Sequence, residues 1–303
     1  VKWIEHTRQN PADDSPVFQL IDGFHVEHTL THDKTDVFGK QAKNNNNIKD
    51  ELFIARNESK ESVIAIWESL MPIGEKSVGV VLDLFLSLRA VDAHEEMIDL
   101  YKEMDPPLQK TKLVQEQYGF ALNRVGKWKR AEKVLVGLIK KYGFDPETNG
   151  ILGRVYKDLY KKNRIIKPEK ADKYLKRSIK CYRAGFDADW RDAYPGVNLI
   201  TLAEIAGFQD IIDYYLPVVK FAAMQQLEKA NYWDLATIAE LRVVEKDIPL
   251  ALEILEEAIT FIPDEEDWML ETTLNNLMLI RDARKKRGAP FEELDQLIDR
   301  FKL

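Results

Sequence analysis

The sequence predicts an all-α fold: an α-solenoid of about seven helical hairpins, preceded by a short irregular N-terminal extension. Three observations predict it. The run Leu152-Gly153-Arg154-Val155-Tyr156 has a counterpart around Gly119, 34 residues earlier. A small residue, Ala131, stands twelve positions after Gly119, where the second helix of a hairpin must cross the first closely. Further on, Ala251, Leu255, Ala258 and Pro263 reproduce the second-helix spacing and its closing proline.

A period of 34 residues with a Leu-Gly-x-x-Tyr core is that of the tetratricopeptide repeat. The hairpins follow in order. Ile48, Leu52 and Ala55, then Val63, Ile66, Trp67 and Leu70, give apolar stripes at helical spacing. Val78–Arg89 and Ala93–Met104 make the next pair, stopped by Asp105-Pro106-Pro107. Leu113–Val125 and Trp128–Tyr142 flank the turn residue Gly126, and Pro146 starts the following unit. In that unit Ala171 lies eighteen residues after Gly153 instead of twelve, so the spacing predicts a six-residue insertion in a widened turn, Lys162–Pro168. The remaining pairs are Pro195–Ala206 with Gln209–Leu227, Tyr232–Lys246 with Pro249–Ile262, and Trp268–Arg287 with Phe291–Phe301.

Residues 1–47 differ. Pro11, Pro16 and Gly23 interrupt them, Asn44–Asn47 reads as a loop, and Pro16–Ile21 reads as a short strand or extended segment. The domain organisation expected is therefore an irregular extension or linker over 1–47 and a repeat domain over 48–303. A chain starting at Val1 reads as a segment of a longer protein, with an upstream domain before it.

With 45% apolar residues among 303, the chain can bury a sizeable core. No run of about 18 apolar residues appears, and no secretory leader, so a cytoplasmic location is expected. The single cysteine, Cys181, excludes an internal disulfide and reads as a buried structural thiol. The net charge of −7 is unevenly spread. Between Arg154 and Arg183 twelve Lys and Arg face only Asp158, Glu169 and Asp172, a local +9 that leaves −16 elsewhere. Such a field attracts an anionic partner, or else clothes a solvated helix pair. An acidic whole and the lack of a nucleic-acid motif argue against nucleic acid as the main ligand.

In repeats of this kind, defined first-helix positions line the concave groove. Counting from Gly119 and Gly153 places Asn123, Arg124, Arg154 and Lys157 there, together with Glu116 and Asp158, which can pair with them. Cationic and amide donors converging on one face can hold a carboxylate or phosphate. The segment Asp189–Asn198 adds Trp190 and Tyr194 as stacking rings, Arg191 as a phosphate contact, and Asn198. Pro195 would open the next helix, leaving the Gly196 and Val197 amides near its positive end. The same segment reads structurally with Asp192 as a helix cap and Trp190 wedged between units. A similar cluster, Asn231-Tyr232-Trp233-Asp234, contributes Trp233, with Asn231 or Asp234 read as cap residues. His25, His28, His32, Asp33 and Asp36 are metal-capable, but no partner motif completes a site, so no metal and no cofactor is expected. No phosphate loop, nucleophile elbow or two-histidine zinc helix occurs, and no catalytic residue is assigned.

Four runs occur in a recognisable order: Gly153–Asp158, Trp190–Asn198, Asn231–Asp234 and Asn275–Ile280. From about Ser15 to Gly288 the chain resembles the TRAF-binding tetratricopeptide central region of apoptosis signal-regulating kinases and its bacterial relatives. The run Trp190-Arg191-Asp192-Ala193-Tyr194-Pro195-Gly196 brings it nearer to the bacterial group. His32–Phe38 is similar to the stretch joining an upstream sensory or nucleotide-related domain to the repeats. The resemblance implies a non-enzymatic regulatory scaffold that binds a protein partner, or the upstream domain, in signalling or defence. As an alternative it implies a sensor of a phosphorylated, nucleotide-derived ligand, and it admits an upstream enzyme that this region regulates. No kinase motif set is present, so kinase activity is not carried over.

Overall fold

The computed structural model describes residues 32–225, 231–263 and 268–301. Among the described residues there are fifteen α-helices, one 3-10 turn and no strand. They form two compact units that divide between residues 108 and 109.

In the first unit, α1 (His32–Glu58) packs on α2 (Lys60–Ser69) and on α3 (Val78–Ala90), which pairs with α4 (His94–Glu103). The core holds Leu52, Val63, Leu84, Leu88 and Met97, none exposed by more than a trace. Ser59 and Ser77 cap α2 and α3 by accepting from amides three residues on. The one-turn helix α5 (Pro106–Gln109) closes this stretch.

Asn44–Asn47 is a correction. These residues lie inside α1, so the helical region begins by His32 rather than at Ile48. Asparagine costs a helix only a few tenths of a kcal/mol per residue. The apolar stripe of α1, with Leu52 and Ala55 packed inside, outweighs that cost. The reading of Pro16–Ile21 as extended, and His25 and His28, lie outside the described residues.

The second unit stacks five hairpins: α6 (Lys112–Arg124) with α7 (Trp128–Tyr142), α8 (Pro146–Asn163) with α9 (Pro168–Ala188), and α10 (Ala193–Ala206) with α11 (Gln209–Met224). Then come α12 (Tyr232–Val244) with α13 (Ile248–Ile259), and α14 (Trp268–Arg287) with α15 (Glu292–Arg300). The repeat glycines sit where the helices touch. A Cβ on Gly119 would lie 2.9 Å from the Leu135 side chain, and one on Gly153 would lie 2.9 Å from the Tyr182 ring. Ala131, Ala251, Leu255 and Ala258 are fully buried at the matching second-helix positions. Turns after first helices use left-handed backbone, as at Gly126 (φ +77°) and Gly207 (φ +73°), which glycine adopts without strain.

The six-residue insertion falls differently from expectation. The turn between α8 and α9 spans only residues 164–167, while α8 has 18 residues and α9 has 21, against 13 and 15 in the preceding hairpin. Most of the extra chain has become additional helical turns, because each added residue gains a backbone hydrogen bond inside the helix. What remains of the turn carries Ile165 and Ile166, 82% and 76% exposed.

Candidate functional site

Five of the nine residues singled out in the sequence converge. Arg154 and Lys157 on α8, Tyr194 and Asn198 on α10, and Trp233 on α12 line one cleft of about 320 Å³. Its wall is completed by α12 and α14, through Thr237, Glu240, Thr273 and Asn276.

Each side chain is positioned locally. Asp192 caps α10 by accepting from the Tyr194 amide at 3.0 Å, so the helix starts at Ala193, two residues before Pro195. One turn on, Asn198 Nδ2 donates to the Tyr194 carbonyl (3.0 Å), which turns Oδ1 toward Lys157. Lys157 Nζ donates to that oxygen at 3.0 Å. Asn231 caps α12 in a capping box with Asp234, as the cap reading of this cluster had it, and this holds Trp233 in the first turn. The Trp233 ring lies 5.1 Å from Tyr232 and 5.7 Å from Trp268, centroid to centroid, and keeps an open face (38% exposed). Tyr194 meets Tyr182 edge-on at 6.2 Å.

Burial sets the electrostatics. Lys157 is only 6% exposed, and desolvation lowers its amine to about 7, with Lys161 and Arg154 adding to the effect and Glu240 opposing it. Burial likewise pushes the Glu240 carboxyl up, against hydrogen bonds from Asn276 Nδ2 (2.9 Å) and Thr201 Oγ1 (3.3 Å). Arg154 Nε donates to Asp158 at 3.1 Å, and Asn123 Nδ2 donates to the other oxygen of that carboxylate at 2.7 Å. Asn123 thus reaches the cleft through Asp158 rather than lining it. The cleft is close to charge balance, with donors and acceptors set between two aromatic rings.

Three candidates stand apart. Arg124 lies over the Phe120 ring, 5.9 Å from its centroid. Arg191 is closed onto Asp189 by two parallel hydrogen bonds of 2.8 and 2.9 Å, on an exposed turn. Trp190 is 52% exposed, more open than the structural reading of that segment had it. The reading of the Gly196 and Val197 amides as an anion site loses its premise, because the helix opens at Ala193 rather than at Pro195. Gly196 is buried, and a Cβ there would lie 2.7 Å from Val219 and 2.8 Å from Phe186. Cys181 is partly buried, and burial pushes its thiol up to about 12. Among the described residues no group of three or more metal-capable side chains converges, and no helix is long and apolar enough to cross a membrane.

Glu240, Thr237 and Asn276 escape the sequence reading. Had groove positions been counted back from Ala251 as they were from Gly119 and Gly153, Trp233 and Glu240 would both have fallen on them. A larger cleft of about 490 Å³ lies between α8, α9, α10 and α14, with Arg164 engaged by Asp282 (3.1 Å), Arg287 by the Ile205 carbonyl (2.8 Å), and Asp172, Lys176 and Lys286 on its wall.

A family model described as the MAP3K TRAFs-binding domain matches residues 38–301. No curated protein matches the sequence. Among solved structures, the chain is similar to a thermophilic tetratricopeptide protein of Thermus thermophilus at 14% identity and a TM-score of 0.52, covering 67% of this chain and 100% of that one. It is also similar to human IFIT1, solved as a dimer with PPP-AAAA, at 15% identity and a TM-score of 0.51, covering 74% of this chain and 54% of that one. These likenesses show the fold, an all-α solenoid of tetratricopeptide type.

Proposed function

This chain belongs to the MAP3K TRAFs-binding domain family, and on that premise we propose that it is a non-catalytic cytoplasmic scaffold. Its cleft between α8, α10, α12 and α14 takes a segment of a protein partner in signalling or defence. The family description, which names TRAFs as what its members bind, supports a protein partner. The carrying observation is the cleft itself. It offers an amine donor (Lys157), a carboxylate acceptor (Glu240) and two open aromatic rings (Tyr194, Trp233) in near charge balance. A peptide presents that mixture of amide donors, acceptors and apolar side chains, and Tyr and Trp are favoured anchors at interfaces. The repeat domain supplies the rigid surface.

Selection of a random displayed peptide library on the immobilised chain tests this. Enriched peptides should bind Trp233→Ala about tenfold more weakly, a loss of about 1.4 kcal/mol. No enrichment, or binding indifferent to Trp233→Ala and Asn198→Ala, would sink the reading.

A second reading rests on Arg154, which lines the same cleft as two rings able to stack on a base. It makes the chain a sensor of a phosphorylated, nucleotide-derived ligand, and the IFIT1 likeness, at the level of fold, agrees with it. Asp158 already neutralises Arg154, and Lys157 is weakly charged near neutrality, which favours the peptide. Thermal-shift screening against nucleotides separates the two. A rise in melting temperature that disappears in Arg154→Ala would establish the sensor.

A further inference from the structure

The excess positive charge of the fourth hairpin is not in the cleft. Lys173, Lys176, Arg177 and Lys180 stand at i, i+3, i+4 and i+7 along α9, all exposed. Arg177 is engaged with Glu132 (3.4 Å) and lies over the Tyr156 ring. Lys173, Lys176 and Lys180 make no ion pair among the described residues. Like charges at this spacing repel and weaken a solitary helix. The sixth hairpin is acidic in its second half. Between Glu245 and Glu271 ten acids face a single Lys246, and five of them (Glu245, Asp247, Glu253, Glu256 and Glu257) fall on that hairpin. On α13, Glu253, Glu256 and Glu257 share one exposed face at i, i+3 and i+4. Of these, among the described residues, only Glu256 is paired, with the exposed Arg300. No ion pair joins α9 to α13 within one chain among the described residues.

Two largely unpaired faces of opposite sign, on second helices two hairpins apart, are complementary between molecules. We infer that the basic face of α9 docks on the acidic face of α13 of a second copy, so that the chain assembles head to tail. The contact is heterologous: each molecule keeps one free face of each sign, and assembly continues into a ring or an open string. This goes beyond the peptide cleft, which lies on other helices, and does not depend on it. A nucleic-acid backbone is the competing occupant of α9, but it leaves the matching acidic face of α13 without a role.

Sedimentation velocity of the purified chain tests the assembly. At about 0.02 M salt, where the Debye length is about 20 Å, the wild type should form species that grow with concentration. At about 0.5 M salt the association should weaken at least about tenfold, because exposed charges are screened. A chain with Lys173→Glu, Lys176→Glu and Lys180→Glu should remain a monomer, as should one with Glu253→Lys, Glu256→Lys and Glu257→Lys. Mixed in equal amounts, these two retain one native basic face and one native acidic face. They should co-assemble in a 1:1 ratio and extend by alternation, because the two reversed faces are complementary to each other as well. A chain carrying all six reversals should assemble again, which also shows that the substitutions leave the fold intact. The inference is overturned by a monomeric wild type at low salt, by a mixture that stays monomeric, or by a wild type that changes state only when poly(dT) is added.

Discussion

Lys157 is a cation placed where a cation is disfavoured. Its aliphatic stem is packed inside, its amine has one protein partner in Asn198, and burial lowers the amine from its usual 10.5 to about 7. The consequence for stability has a definite sign. Below about pH 7 the folded and unfolded chains both hold the proton, and the folded state carries the whole cost of the buried charge. Between about 7 and 10.5 the unfolded chain holds a proton that the folded one lacks, so this group's contribution to stability rises with pH. Lys157→Met keeps the stem and removes the charge. The variant should gain on the order of a few kcal/mol over wild type at pH 6, and the gain should shrink as pH rises toward 10. Urea unfolding of both proteins across that range reads the difference, in which other titrating groups largely cancel. A gain that is flat with pH would mean that Lys157 is hydrated and ordinary. Arg154 and Lys157 were legible in the sequence because the groove positions follow from the repeat register. Their neutralisation by Asp158 and by burial was only partly so: Asp158 shares the helix, whereas the depth of Lys157 depends on α12 and α14, which are remote in sequence.

Among elements, helix pairs are the best-read feature, because the three- and four-residue apolar spacing and the Pro and Gly punctuation act locally. Trp128–Tyr142 and Trp268–Arg287 end at the residues the pattern predicts. Asn44–Asn47 and the inserted turn were misread for one reason: composition marks a residue as loop-like, while packing of the rest of the helix decides. What the sequence does not show is how distant helices are tied. Arg284 on α14 is 4% exposed and donates through Nε to Glu204 on α10 (2.8 Å) and through Nη2 to the Val243 carbonyl on α12 (2.8 Å). Arg287 adds a hydrogen bond to the Ile205 carbonyl (2.8 Å) and an ion pair with Glu204 (3.3 Å). These links, some of them between residues about eighty positions apart, hold α14 as the far wall of the cleft. Arg284→Ala leaves the Val243 carbonyl without its donor and the buried Glu204 carboxylate with Arg287 alone, and should cost roughly 3–5 kcal/mol. Combining Arg284→Met with Glu204→Leu removes the charged pair together and should cost clearly less than the sum of the two single changes, measured by denaturant unfolding. Additive costs would mean that the two side chains do not act as one network.

For the molecule as a whole, the question is how much chain the cleft needs. The sequence pattern predicts a single repeat domain over 48–303, whereas the helices group into units that divide between residues 108 and 109. A stacked array is stabilised by each repeat and its nearest neighbours, so losing one end is felt mainly by the repeat beside it. The α6–α7 hairpin stands between residue 109 and the first helix of the cleft, and it has its own buried centre in Leu122, Ala131 and Leu135. The cleft walls are tied together wholly within 109–303, by Lys157 to Asn198, Glu240 to Asn276, and Arg284 to Glu204. A fragment comprising Gln109–Leu303 should therefore fold alone, with a helical circular dichroism spectrum. Its single cooperative transition should lie within about 4 °C of that of the full chain, the shift expected for about 1 kcal/mol in a domain of this size. It should also keep the pH-dependent gain of Lys157→Met, since every group that faces that amine is retained. A fragment that aggregates or melts broadly would mean that the first unit completes the core of the second. A fragment that folds but loses the pH signature would place the burial of Lys157 under the control of residues before 109.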